Sequence, residues 1–523
     1  MQYGRKVLFT DVEYIDSDNV IKVLRQAMLD FLPNAADCTF LLDYEKGMQP
    51  INRKKLFRPD INAQVSDNVA NEITEFKTSF NWNPITLVQR GEVDSGDEEE
   101  SKAISLLNEC YASEEICKKT RELARFVEIC GIGFTFVDIN TEYEDGDSYF
   151  KVDILDPRFA FVVRSNRYAD HRVMMGVTFR KDRLGNTYFT CFTKDLRFEI
   201  LNTVKIINGG KRKKVDKWNH QSRSGETNPL GRVPITEWIR DYDRQGCFER
   251  QISALDNLNL ILSDFTNDIE QSTMCLWHTN DVEFPKEIVK DEKGEEKEVV
   301  RKPQDGEWVQ TFTPQDGKSP TIKPLVVDYN YEGMLSHYLA QRSLILQRCN
   351  VPARNADMSN STGVAQSFAG GYAGAESQAD KQADIMYGCK REELKSVLAA
   401  IRECPDTPID SPLLKLKYKD ITPKITRNRA YELSTKTASL KNMLSCGVYG
   451  MQAFKESNIF SDVAQAWSDS REMVEKYQNS LFDKNNTSNN SDKPITTDGG
   501  LEAQVSNSPL IDGMSKEPVT KSA

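Results

Sequence analysis

Phe248-Glu249-Arg-Gln-Ile252-Ser-Ala-Leu255-Asp256-Asn-Leu258-Asn259-Leu-Ile-Leu262-Ser263-Asp264-Phe265-Thr-Asn267-Asp268-Ile269-Glu270-Gln-Ser-Thr273 is the stretch on which the reading of this chain turns. Its apolar residues Phe248, Ile252, Leu255, Leu258, Leu262, Phe265 and Ile269 step by threes and fours. That is one continuous stripe of a long helix. The remaining faces carry Glu249, Asp256, Asn259, Ser263, Asn267 and Glu270. From Gln251 through Pro285 there are six acids (Asp256, Asp264, Asp268, Glu270, Asp281 and Glu283) and no Lys or Arg. Surface helices ordinarily mix signs, because Glu and Lys four residues apart support one another. Either this composition is chance, or the face must not hold a polyanion.

Downstream, Lys286 to Lys302 is charge-rich and sits between short apolar runs, with Trp277, Trp308 and Phe312 as anchors. It reads as a small strand-rich insertion. A second helix over Gly333 to Cys349 brings the chain back, so the topology is a helical hairpin carrying a knob. Ala353 to Ser361 reads as a loop. Thr362 then caps a helix predicted from Gly363 to Cys404, where Pro405 stops it. Gly370-Gly371 predicts a kink, since each interior glycine costs about 1 kcal/mol against alanine. A strand is predicted over Leu413 to Tyr418, then helices over about 431–444, 451–456 and 461–481. From Asp483 the composition turns Asn/Ser/Asp-rich and apolar-poor, which predicts a disordered tail.

Upstream, Ser17 can cap a helix that Pro33 ends, and a second helix is predicted from Asn68 to Phe80. A strand follows over Ile85 to Val88. Residues 92–100 form an acidic loop, and Ala103 to Cys130 is a helical region ended by Gly131. Strand-like runs occupy Phe134–Ile139, Tyr149–Ile154, Ala160–Val163, Val173–Phe179, Tyr188–Phe192 and Phe198–Leu201. Together they make an α+β domain ending near residue 245. The basic run Gly210-Lys-Arg-Lys-Lys-Val-Asp-Lys217 is either a hairpin tip or a phosphate contact.

The chain has 523 residues, 68 Lys and Arg against 79 Asp and Glu, and a net charge of −11. This length predicts about three domains or layers, and the acidic balance argues against a protein that grips a DNA duplex. No apolar run approaches the roughly 20 residues that span a bilayer. The start carries no apolar signal region, so a cytoplasmic origin is expected. The 11 cysteines include no Cys-x-x-Cys pair and read as free thiols rather than as a metal or redox site. The four histidines form no His-Glu-x-x-His motif, and complete phosphate-loop, dinucleotide-binding and nucleophile-elbow motifs are missing. No cofactor, no metal and no enzymatic activity are expected. The competing readings are a metal-dependent nuclease built on scattered Asp and Glu, and a structural or scaffolding protein.

In order and local pattern the chain resembles the portal proteins (head–tail connectors) of tailed double-stranded DNA bacteriophages, of the siphophage type. Asn228-Pro-Leu-Gly-Arg-Val-Pro-Ile235 resembles that family's approach to the stem. Residues 246–273 look like the first stem helix, 274–326 like the clip and 327–350 like the second stem helix. Residues 351–362, with Asp357-Met358-Ser359, are similar to the tunnel loop, and 363–404, opening on Gly363-Val-Ala365, to the long kinked helix. Gly131-Ile-Gly-Phe134 and Asp156-Pro157 fit a mixed α/β wing over 1–245; 405–482 would form the C-terminal wing and crown, and 483–523 the tail.

The resemblance implies a homo-oligomeric ring of about twelve subunits at one capsid vertex. Double-stranded DNA would pass through it during packaging and ejection. The terminase large subunit would dock on the clip, a head–tail adaptor would later replace it, and the major capsid and scaffolding proteins would surround it. The location implied is the virion, with the host cytoplasm during assembly and no membrane. Glu249, Asp256, Asp264, Asp268 and Glu270 then become channel-lining candidates, although one helix cannot turn all of them inward. Arg354, Asn355, Asp357, Met358, Ser359, Asn360 and Ser361 of the loop would face DNA, with Arg354 forming either a cation ring or a pair with Asp357. Trp277, His278 and Trp308 either meet the clip's partners or fill its core.

Overall fold

A computed structural model of the chain describes residues 3–51, 61–89, 98–204, 216–221, 225–273, 276–280, 286–290, 296–300, 321–325, 330–352, 372–425 and 432–488, apart from 84, 145, 169, 184, 458 and 461–462. The chain divides into two compact units, Met1–Leu433 and Ser434–Ala523.

The first unit is mixed α and β. A seven-stranded sheet has the order β1 (Leu8–Thr10), β5 (Ala160–Ser165), β6 (Val173–Lys181), β7 (Thr187–Phe192), β8 (Leu196–Val204), β10 (Glu226–Thr227), with β9 (Asp216–His220) also paired to β8. Its pairs are antiparallel except β1–β5. Helix α1 (Val20–Glu45) covers one face, where Leu24 and Phe31 meet Phe161, Val177 and Phe198. Pro33 lies inside this helix rather than ending it. The lost ladder bond and ring clash cost about 3 kcal/mol, and packing outweighs them. Phe31 packs against Phe161 with ring centroids 4.6 Å apart, and the Asn34 side chain exchanges two hydrogen bonds with the Lys6 backbone.

A second sheet has the order β11 (Ile235–Ile239), β3 (Ile132–Ile139), β4 (Phe150–Leu155). Its flanking helices are α2 (Val69–Asn81), α4 (Ile116–Cys130) and α7 (Tyr372–Glu403). The predicted helical region Ala103–Cys130 is two helices, α3 (Glu98–Ser113) and α4, broken where Glu115 takes a left-handed φ of 51°. Glu98, Glu99 and Glu100, read as loop, open α3. At the end of α4, Gly131 has φ 76° and a Cβ there would lie 2.3 Å from the Arg244 carbonyl, so only glycine closes this turn. A further strand pair joins β2 (Ile85–Gln89) to β16 (Ile421–Ile425).

The strand predicted over Leu413–Tyr418 is absent. Ser411 caps a tight helical turn over Pro412–Lys415, accepting from the Leu413 N–H at 3.4 Å, and the strand comes later as β16. Proline in the first position of a turn, with Ser before it, outweighs the alternating pattern.

The long acidic stretch begins with a short turn at Glu249–Gln251 and continues as α5 (Ile252–Thr273). Helix α6 (Tyr331–Arg348) packs beside it. Between them, β12 (Leu276–Asn280) pairs antiparallel with β15 (Thr321–Leu325), and β13 (Lys286–Lys290) with β14 (Glu296–Val300). The basic run 210–217 falls mostly outside the described residues, as does the kink predicted at Gly370-Gly371.

The second unit contains α8 (Glu432–Ser445) from Ser434 onward, α9 (Gly450–Ser457) and α10 (Val463–Ser488). Trp467 of α10 packs edge-on against Phe454. The last helix continues five residues past Asp483, where the tail was expected to begin.

Four segments of the first unit meet on one buried carboxylate. Glu128 of α4 accepts from Trp82 Nε1 at 2.8 Å, Gln382 Nε2 of α7 at 2.6 Å and Arg240 Nε, just beyond β11, at 2.9 Å. Burial alone would raise its pKa; the Arg240 guanidinium, with the Gln382 and Trp82 hydrogen bonds, brings it below the usual carboxylate range. Replacing one partner strands the other. Glu128→Ala is expected to cost about 3–5 kcal/mol, because Arg240 loses its buried counter-ion and keeps only the half-buried Asp241 at 3.3 Å. The check is the urea midpoint of the first unit's unfolding, with Arg121→Ala on the exposed side of α4 as the near-neutral reference.

Candidate functional site

Helix α5 has three faces with three environments. The apolar stripe starts in the core, where Ile252, Leu255 and Leu258 pack with Tyr44, Phe248, Ile345 and Leu346. Its far half emerges: Leu262 and Phe265 are half-buried and Ile269 is exposed. Phe265 there meets Tyr331 of α6 edge-on, with ring centroids 6.0 Å apart.

The second face is a polar seam. Asn259, Ser263 and Asn267 are buried although none is charged or apolar. Each holds the backbone of the extended segment 61–68. Asn267 Oδ1 accepts from the Ala63 N–H at 2.7 Å and its Nδ2 donates to the Ala63 carbonyl at 3.2 Å. Ser263 Oγ accepts from the Val65 N–H at 3.0 Å and donates to the Asn259 carbonyl at 2.7 Å. Asn259 Oδ1 accepts from the Asp67 N–H at 2.9 Å, and its Nδ2 donates to Gln49. The spacing has a geometric cause. Four helical residues rise about 6 Å and two extended residues about 6.6 Å, so every fourth side chain of a helix can meet every second amide of a strand. The seam continues onto α6: Asp67 accepts from the Tyr338 hydroxyl and from Arg342 Nε at 3.2 Å, and Arg342 also pairs with Glu72. Burial and the Asp67 carboxylate push the Tyr338 phenol above its ordinary pKa.

The acids occupy the rest. Asp264 and Asp268 stand one turn apart, half-buried, on the face that also carries the exposed Ser253 and Asn257. Asp256 is turned toward α1, accepting from the Tyr44 hydroxyl at 2.7 Å; burial raises its pKa, with the Tyr44 hydrogen bond opposing the rise. Glu270 is half-buried and lies on the seam side by helical spacing. Glu249 departs from the expected set. It is fully buried, pairs with Arg5, and accepts from the Gly4 and Gly246 N–H groups at 2.8 Å each. It ties the chain's first residues to the start of α5 and cannot line a channel from that position.

Of the knob residues, Trp277 and His278 lie on β12 opposite Pro324 and Lys323 of β15. Trp308 and the loop residues Arg354, Asn355, Asp357, Met358, Ser359, Asn360 and Ser361 lie outside the described residues. The loop's two flanks are fastened to one buried lysine. Lys77 Nζ of α2 donates to the Asn350 carbonyl before the loop at 3.3 Å and to Gln378 Oε1 after it at 2.6 Å. Burial lowers the pKa of this ammonium. Sequence reading missed Lys77, which carries no local signal. It named Asn259, Ser263 and Asn267 but gave their four-residue repeat no role.

Among the described residues no cluster of three or more His, Cys, Asp or Glu is placed to hold a metal ion, and no helix is long and apolar enough to cross a membrane.

The architecture is thus a mixed α/β unit from which two packed helices lead to paired strands, with an acidic face on the first helix. Residues 60–444 match the family described as phage portal protein, SPP1 Gp6-like, and the chain belongs to that family of siphophage-type portal proteins. No curated protein matches the chain.

Asn259→Ala and Asn267→Ala each strand a backbone amide of the extended segment, at about 1–3 kcal/mol apiece. Hydrogen exchange is the direct readout. The amides of Asp67 and Ala63 should lose protection selectively in the respective variants, and Ser253→Ala should leave both unchanged.

Proposed function

We propose that the chain assembles into a closed ring of about twelve copies at one vertex of the capsid and forms the channel through which the genome enters and leaves. The portal family supports the homo-oligomer, its capsid location and its DNA and capsid partners. The observation that carries the channel assignment is the outward face of α5, with Asp264 and Asp268 one turn apart in a 35-residue stretch without a single Lys or Arg.

Duplex DNA carries one charge per roughly 1.7 Å, and each Lys or Arg that meets a phosphate adds affinity through counterion release. A motor that drives DNA through a pore is opposed by that affinity. An acidic wall repels the phosphates instead. Asp264 and Asp268 are the lining residues in this reading; Asp256, bonded to Tyr44, and Glu270, on the seam side, stand off this face. The loop 351–362 would come closest to DNA, with Arg354, Asn355, Asp357, Met358, Ser359, Asn360 and Ser361 along it. The strand pairs after α5 would form the clip, with Trp277, His278 and Trp308 offered to the terminase large subunit during packaging and to a head–tail adaptor afterwards. Scaffolding and major capsid proteins would meet the wing.

Two measurements test this. Negative-stain images of the purified chain should show rings with a central hole; monomers or filaments would sink the ring. In a packaging assay, Asp264→Lys/Asp268→Lys should still form rings yet slow DNA uptake, and added salt should relieve the slowing. Each introduced lysine steepens the salt dependence by about one counterion. Uptake equal to that of the parent at low salt would remove these two residues from the channel wall.

A further inference from the structure

β11 ends its sheet: β3 pairs one edge, and among the described residues no strand pairs the other. The register says which groups face out. Val137 N–H donates to the Pro234 carbonyl and Arg240 N–H to the Gly131 carbonyl, both toward β3. In an antiparallel ladder this direction alternates, so Ile235, Glu237 and Ile239 aim their N–H and C=O groups at the open edge. Ile239 N–H meets the Cys389 sulfur of α7. Among the described residues nothing hydrogen-bonds the backbone of Ile235 or Glu237 on that side.

This edge opens into a recess rather than onto a flat surface. It lines an open cleft of about 570 Å³, flanked by Arg164 and Val173 of the seven-stranded sheet and by Gly388 and Cys389 of α7. The volume falls within the range of ligand sites. Gly388 stands in a helix interior, where glycine is unfavourable, yet a Cβ there would meet nothing within 4 Å. The rim carries Arg164, Arg172, Lys194 and Arg232 against Glu237 and Glu392. Both acids are already matched: Glu237 by Arg164 and Arg244, Glu392 by Arg232 and Lys395. Arg172 holds only an exposed pair with Asp170 at 3.5 Å, and Lys194 has no ion pair among the described residues. The floor is aliphatic, from Val173, Val233 and Ile235, with no aromatic ring on which a base could stack.

The geometry points to a docking site in which an extended acidic segment of a partner polypeptide adds a strand to β11, its carboxylates toward Lys194 and Arg172 and its apolar residues on the aliphatic floor. Main-chain bonds to Ile235 and Glu237 would supply the ladder, and alternate side chains the selectivity. This site is independent of the channel reading, since it uses no residue of α5, α6 or the loop between α6 and α7.

The probe is a fluorescein-labelled peptide of four Glu-Val repeats, titrated with the full-length chain and followed by anisotropy. The controls are a Lys-Val peptide, a Glu-Val peptide with prolines at alternate positions, and a single-stranded oligonucleotide of equal charge. The Glu-Val peptide should bind; the Lys-Val and proline forms should bind at least tenfold more weakly. Gly388→Leu fills the cleft from a position with room for it and raises helix propensity, so the variant should stay folded by circular dichroism and lose binding at least tenfold. Lys194→Glu/Arg172→Glu should also weaken it. The proposal is overturned by no binding to the parent chain, by oligonucleotide binding that matches the peptide's, or by a folded Gly388→Leu variant that binds normally. Failure of the peptide to bind assembled rings would overturn it too, because the neighbouring copy would then already occupy the cleft.

Discussion

The ion pair of Glu128 and Arg240 sets the geometry of the first unit. A carboxylate with no exposure to water is tolerable only when its lone pairs are filled and its charge is met. Here the groups that meet it come from positions 82, 240 and 382, separated along the chain by more than a hundred residues. The network therefore acts as a registration pin. If α7 slid by one turn, one of its two glutamines would take the other's place, and either Glu128 or Lys77 would lose its amide partner. A purely aliphatic contact tolerates such a slip far better. This pin also fixes the strand whose open edge forms the basic cleft, because Arg240 directly follows β11.

The division of labour on α5 follows from what each face must do. A helix normally gains a few tenths of a kcal/mol from each Glu–Lys pair one turn apart and loses as much from like charges there. Asp264 and Asp268 are a like pair, so this helix is poorer on its own than an ordinary surface helix. Its stability comes from the other two faces: the buried stripe of Ile252, Leu255 and Leu258, and the seam in which Asn259, Ser263 and Asn267 hold an extended strand. Uncharged side chains suit the seam. Asn presents both a donor and an acceptor, as a backbone amide does, so a helix face can imitate a strand edge without adding charge.

The periodic elements were legible in the sequence. The stripe of α5, the returning helix α6, the helix capped by Asn68 and the run of strands from β3 to β8 follow from spacing alone, because each buries a face with a fixed period. The places where reading failed share one cause: a long-range contact overrode a local signal. Pro33 does not end α1 because Asn34 is held by Lys6, just before β1, and Phe31 by Phe161 of β5. Glu249 belongs by spacing to an acidic helix, yet Arg5, more than two hundred residues earlier, draws it into the core. Lys77 sits in an unremarkable helical pattern, and only the tertiary fold gives it Asn350 and Gln378. Local spacing identifies which face of a helix is polar. It does not say whether that face meets water, a strand or a buried counter-ion.

The net charge of −11 needs the same distinction. Read globally it argues against a DNA partner, because affinity for duplex scales with the cations that reach phosphate. A conduit works under the opposite condition, and a ring of about twelve copies would carry roughly −130 charges by the same count. The charge is unevenly placed. Arg5, Arg240 and Arg244 of the mixed α/β part and Arg342 of α6 are matched to carboxylates. The stretch from Gln251 to Pro285 has none to spend. That segregation keeps Lys and Arg off α5 itself, and a helix face without cations adds no counterion-release affinity for a polyanion passing along it.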